Sequence, residues 1–142
     1  MSEAQVKDKV QRILTEEFGS VSIDRDGDFF VRFGSTKVFI AVKGVNETTT
    51  FVNSFAFILE DVPLTPEVYR WAATDGQDYR FGHAKVIERD NGLGRIVFQH
   101  VLLGDFLDAE ELKWAVIALG QAADELDDEL KARFGGNRFI ED

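Results

Sequence analysis

The sequence predicts an α+β domain in which a five-stranded antiparallel sheet packs on helices, in the order α-β-β-β-α-β-β-α. Apolar residues at helical spacing mark both ends of the 142-residue chain, while period-two alternation broken by short turns fills its middle. Thr65 and Pro66 then open a short helical segment that divides the strands into a group of three and a group of two.

Val6, Val10, Ile13, Leu14 and Phe18 recur at intervals of three and four, and Gly19 stands where helices commonly end, so a first helix spans residues 3–18. Phe29 to Phe33 read as a strand, and Gly34-Ser35 as a two-residue turn into a second strand over 36–45. Such a turn fixes a register. With Phe33 opposite Thr36, Val31 faces Val38 and Phe29 faces Ile40, which places Phe29, Val31, Phe33, Val38, Ile40 and Val42 on the face that helices cover. The opposite face pairs Arg32 with Lys37 but also Phe30 with Phe39, so it is only partly polar.

A third strand, about 49–59, carries Phe51, Phe55, Phe57 and Leu59 at one parity and Val52, Ala56 and Ile58 at the other. It is apolar on both faces whatever its register, whereas a sheet with one solvated face alternates more cleanly. Something beyond the domain's own helices is therefore expected to cover part of the second face.

Thr65 stands as N-cap before Pro66, with Leu64 and Tyr69 spaced for a hydrophobic staple, and the short helix that follows ends near Gly76 and carries Tyr69 and Trp71. Strands over 79–89 and 95–103 flank the hairpin loop Asp90-Asn91-Gly92-Leu93-Gly94. Asp108 and Glu111 open the last helix, whose stripe of Leu112, Val116, Leu119, Ala123, Leu126 and Leu130 runs toward Phe134 before Gly135 and Gly136 stop it. Residues 1–136 thus form one domain, and 137–142 read as a loosely held tail.

Composition narrows the function classes. The chain has 26 acidic against 16 basic residues, a net charge of −10, so its overall field opposes phosphate backbones and anionic lipid surfaces, and neither nucleic acid nor membrane is expected as a partner. The absence of Cys removes disulfides, thiolate metal sites and cysteine nucleophiles. Residues 1–18 lack the apolar run of a signal peptide, and Phe55 to Leu59 is too short to span a bilayer, so a cytoplasmic location is expected.

No motif carries catalysis, and no cofactor or metal site is expected. His83 and His100 lie on neighbouring strands, yet two ligands without a third make a poor site, and they read as structural. Asp24, Asp26 and Asp28 alternate as in a calcium loop, but the positions for its Gly and Glu hold Phe29 and Ser35, so a polar turn is read there. The series Asp124, Glu125, Asp127, Asp128 and Glu129 reads as the solvated side of the last helix. What remains is an aromatic set, Phe30, Phe39, Tyr69 and Trp71, placed on the incompletely polar sheet face and on the short helix; it is the candidate peptide-binding or dimer interface.

The element order, the segment Phe55-Ala56-Phe57-Ile58-Leu59 leading to Pro63 and the Trp71 helix, and the run Gly94-Arg95-Ile96-Val97-Phe98 before the final helix resemble the type III secretion chaperone-like superfamily, including the YbjN family and its actinobacterial peptide-binding-chaperone relatives. The resemblance covers the chain from the first helix to Gly136. It implies a domain that homodimerises and holds extended segments of client polypeptides on apolar patches, with no active-site motif to carry over. The expected function is accordingly non-catalytic: a chaperone-like or adaptor protein with a client polypeptide as partner. A regulatory or small-ligand-binding domain, with the second sheet face as a pocket, is the other reading.

Overall fold

The computed structural model describes residues 1–140. Its elements are α1 (Glu3–Phe18), β1 (Ser22–Ile23), β2 (Phe29–Phe33), β3 (Thr36–Gly44), β4 (Thr50–Pro63), α2 (Pro66–Ala73) with a 3-10 turn at Asp75–Gln77, β5 (His83–Glu88), β6 (Leu93–Leu103), α3 (Ala109–Phe134) and β7 (Asn137–Arg138). The sheet is antiparallel, in the order β1-β2-β3-β4-β6-β5, with β7 paired to β4. The five expected strands are all present; β1 and β7, two residues each, bring the sheet to seven. Two-residue pairings are too short to leave an alternation in the sequence.

The helix ends follow local chemistry. Ser2 Oγ accepts the Gln5 amide at 3.2 Å while Gln5 Oε1 accepts the Ser2 amide at 2.8 Å, a reciprocal capping box at the start of α1. Asp108 Oδ1 accepts the Glu111 amide at 2.8 Å at the start of α3. Thr65 caps α2 by backbone conformation alone, with no side-chain bond.

The β2-β3 register is the one the Gly34-Ser35 turn dictates: Phe33 opposite Thr36, Val31 opposite Val38, Phe30 opposite Phe39 and Phe29 opposite Ile40. Gly34 takes φ 51°, which a two-residue hairpin requires and a side chain resists. The inward residues Phe29, Val38, Ile40, Val52, Ala56, Ile96 and Phe98 meet Val6, Val10 and Leu14 of α1 and Leu112, Val116, Leu119 and Leu130 of α3 in one core. Burial of each large aliphatic or aromatic side chain contributes about 1.5–3 kcal/mol, so this layer holds both helices on one side of the sheet. Gly120 lets α3 come close: a Cβ there would fall onto the Phe33 ring.

β4 is longer than expected and is bulged between Phe57 and Leu59 and again between Leu59 and Val62. The first bulge turns the strand so that Ile58 and Leu59, neighbours in sequence, are both buried. β3 starts only at Thr36, so β4 outruns it, and β7 fills the vacated edge by pairing with Leu59 and Glu60. The segment expected to hang loosely is therefore paired through Arg138, and the Ile140 amide donates to the Ser35 carbonyl at 3.1 Å. Residues 141 and 142 of that expectation lie outside the described residues. Among the described residues, no helix is long and apolar enough to cross a membrane.

Candidate functional site

With α1 and α3 on one face, the registers place Phe30, Phe39, Phe55, Phe57 and Val97 together on the other. Phe39 is the hub. Its ring lies 5.6 Å from Phe30, 5.4 Å from Phe55 in a stack tilted by 14°, 5.7 Å from Phe57 edge-on, and 6.0 Å from Phe139, also edge-on. Phe139 arrives from the segment after α3 and stacks on Phe57 at 5.2 Å and 21°. These are the offset and edge-to-face geometries that aromatic quadrupoles favour. All five phenylalanines stay half-exposed. The same face continues to Phe51, Val101 and Leu103, each exposed by 39% or more, so the apolar surface runs across β2, β3, β4 and β6.

Cations frame the rings. Lys37 Nζ lies 4.6 Å from the Phe30 ring centre, and the Arg95 guanidinium lies 4.1 Å from that of Phe57. Arg95 Nε also donates to Glu60 at 2.9 Å, and the same carboxylate pairs with Arg95 Nη2.

The four residues read from the sequence as one aromatic set divide. Phe30 and Phe39 lie together on the outward face as expected. Tyr69 is exposed but stands elsewhere, at the β5 rim on the helix side, where its hydroxyl donates to Glu88 at 2.6 Å. That bond and partial burial raise its pKa. Trp71 is a correction: at 5% exposure it belongs to the core with Val68 and Ala72. The spacing 68, 71, 72 is that of a buried helical stripe, a signal the sequence already contained. Alternation within β4 leaves the faces of Phe55 and Phe57 open; the β3-β4 register makes them outward. Phe139 lay in a segment without periodicity and gave no signal.

The remaining candidates resolve as structural. His83 pairs with Gln99 and His100 with Ser54, so the two imidazoles point to opposite faces of the sheet. His100 Nδ1 accepts the Gly82 amide at 3.1 Å, and its ring packs edge-on to Phe81; burial, with His83 second, pushes its pKa down. Asp24 Oδ1 accepts the amides of Asp26 and Asp28, each at 2.9 Å, which makes the acidic triplet a turn between β1 and β2. Among the described residues, no group of three His, Cys, Asp or Glu could hold a metal ion.

The acidic series on α3 is another correction. Asp124 Oδ1 accepts both the amide (2.8 Å) and the hydroxyl (2.7 Å) of Ser35, and Asp127, only 2% exposed, bonds the same hydroxyl. These two carboxylates latch the β2-β3 turn, while Glu125, Asp128 and Glu129 remain exposed as expected. The Ser35 amide and hydroxyl hold Asp124 below the usual carboxylate range, whereas burial pushes Asp127 up.

Comparison with known proteins follows the same outline. The family model for T3SS (YopN, CesT) and YbjN peptide-binding chaperone 1 matches residues 4–142. No curated protein matches the sequence. Among solved structures, the fold is similar to the ExsC-ExsE complex at 18% identity and TM-score 0.56, covering 86% of this chain and 93% of that one. It is similar to YbjN from E. coli at 16% and 0.57, covering 87% and 92%. It is also similar to the Yersinia pestis type III secretion chaperone SycH, solved with a fragment of YscM2, at 14% and 0.57, covering 84% and 98%.

Proposed function

Because the chain belongs to the family of type III secretion (YopN, CesT) and YbjN peptide-binding chaperones, we propose that it is a non-catalytic chaperone or adaptor that holds extended client segments on the outward face of its sheet. The observation that carries this is the half-exposed cluster around Phe39, five rings linked through Phe39 and Phe57 on the side away from α1 and α3. Apolar patches of this kind on folded proteins commonly mark binding surfaces. The similarity to SycH, solved with a fragment of YscM2, supports a polypeptide as the ligand class.

The mechanism is burial of client side chains between these rings. One large side chain contributes about 1.5–3 kcal/mol, and ordering a flexible segment costs about 2–5 kcal/mol or more. Several contacts must therefore act together, and loss of the hub should be felt steeply. Reduced, carboxymethylated α-lactalbumin, which stays unfolded, is expected to bind the wild type and to lose at least tenfold in affinity with Phe39→Asp. Equal binding by the two proteins would remove this face from consideration.

A small-ligand pocket in the same face, the other reading of the sequence, has less support, since the rings there pack on one another at centroid distances of 5.2–6.0 Å. Homodimerisation is part of the proposal. Phe81, Leu102 and Trp114 form the apolar part of a second groove on the helix side, rimmed by Glu110 and Glu111, with Trp114 half exposed, and a second copy seated there would leave the aromatic face free. Trp114→Glu is expected to convert a dimer to a monomer in solution; a monomeric wild type contradicts it. A cytoplasmic location belongs to the same reading, since a chain without Cys needs no oxidising compartment to fold.

A further inference from the structure

The charge on the sheet's outward face is opposite to that of the chain. The protein carries −10 overall. Yet the paired outward positions of β2, β3, β5 and β6 hold Arg32, Lys37, Lys43, Lys85 and Arg95 and no Asp or Glu, while Glu60 of β4 is taken by Arg95 and Arg89. Lys43 and Lys85 are exposed and make no ion pair among the described residues, and Lys37 is engaged only with the Phe30 ring. The acidic surplus lies elsewhere, including Glu125, Asp128 and Glu129 on α3. The molecule is polarised, with an anionic helix layer behind a cationic, aromatic sheet.

The same face already holds one extended occupant. The segment after α3 pairs Asn137 and Arg138 with β4 and lays Phe139 over Phe57 and against Phe39. An aromatic side chain carried on a strand-like backbone therefore fits between these rings.

We propose that the client segments this face takes are extended peptides in which large apolar side chains alternate with acidic ones. The inference rests on the polypeptide-binding reading above and specifies its ligand. In a strand, side chains alternate faces, so acidic residues beside apolar ones reach the rim while the apolar residues enter the rings. Lys37 sits between Arg32 and the Phe57 row, Lys85 beyond Val97, and Lys43 beside Phe51, so cations border the apolar surface on three sides. Complementary charge of this sort speeds encounter and selects partners more than it adds raw affinity. Basic residues interleaved with aromatics on a sheet also suit single-stranded nucleic acid, whose bases stack on rings. The net charge and the family favour peptide, and the test separates the two.

The experiment measures fluorescence anisotropy of three labelled 12-residue peptides against the full chain. All carry Phe or Leu at every second position; the intervening residues are Glu, Gln or Lys. An oligothymidylate of similar length is the fourth probe. The Glu peptide is expected to bind at least tenfold more tightly than the Lys peptide, about 1.4 kcal/mol by RT ln 10. The gap should narrow as salt rises and close in the Lys37→Glu, Lys43→Glu, Lys85→Glu variant, whose changes lie at surface positions; Gln at all three should give an intermediate gap. Equal binding of the three peptides overturns the charge preference and leaves polypeptide binding standing. Binding of oligothymidylate more tightly than the Glu peptide overturns it in favour of nucleic acid. Failure of every peptide, with carboxymethylated α-lactalbumin also unbound, overturns both readings.

Discussion

Phe139 stacks on Phe57 with 5.2 Å between ring centres and 21° between planes. A segment that follows the last helix thus covers part of the aromatic face proposed for clients, and it does so as a strand, through β7 on the edge of β4. A client entering between Phe39 and Phe57 must displace it.

Removing that ring should therefore favour binding. Phe139→Ser is expected to bind carboxymethylated α-lactalbumin about three- to tenfold more tightly than the wild type, since the displaced stacking is worth about 0.5–1.5 kcal/mol. Isothermal titration decides it; weaker binding would make Phe139 part of the site rather than its occupant.

Phe39→Asp separates function from fold. The residue lies outside the core that α1 and α3 cover, so Phe39→Asp is expected to lower the melting temperature through its lost ring contacts yet leave a cooperatively folded chain, while polypeptide binding falls at least tenfold. Trp71→Ala should do the reverse. Emptying its place against Val68 and Ala72 is expected to cost about 3–5 kcal/mol, with binding by the folded fraction unchanged, as read by denaturant unfolding and titration in parallel.

The Ser35 latch predicts opposite responses to pH. Ser35 holds the pKa of Asp124 below its unfolded value, so its contribution is present above the ordinary carboxylate range and is lost as pH falls through the lower folded value. Burial raises that of Asp127, so the folded chain keeps a proton there where the unfolded chain has lost it, and stability is lost as pH rises through the raised value. At pH 7, Asp127→Asn should raise the melting temperature, and Asp124→Asn, at a carboxylate exposed to solvent, should lower it by a smaller amount. Both differences should shrink toward pH 3. Thermal melts across that range check the signs.

The fold was legible where a local rule acts alone. Gly34-Ser35 admits one register, and that register fixed which face each of Phe29, Phe30, Val38 and Phe39 occupies. The site was legible only in part. Phe55 and Phe57 are outward because β4 pairs Phe55 with Phe39, a relation between strands that alternation within one strand cannot supply. The aromatic character of Trp71 suggests a surface site, whereas its spacing from Val68 puts it in the core. Asp124 and Asp127 looked solvated because nothing local announces that a turn 89 residues away in sequence will donate to Asp124. Phe139 follows two glycines that end the helical stripe, and one ring in a six-residue stretch carries no period to read.

NMR mapping of the isotope-labelled full chain, as the Phe/Glu 12-residue peptide is added, decides whether clients sit on the aromatic face. Amide shift changes are expected to concentrate at Phe30, Phe39, Phe55, Phe57, Val97 and Phe139, with α1 and α3 little affected. Changes centred on Phe81, Leu102 and Trp114, or none at saturating peptide, would contradict it.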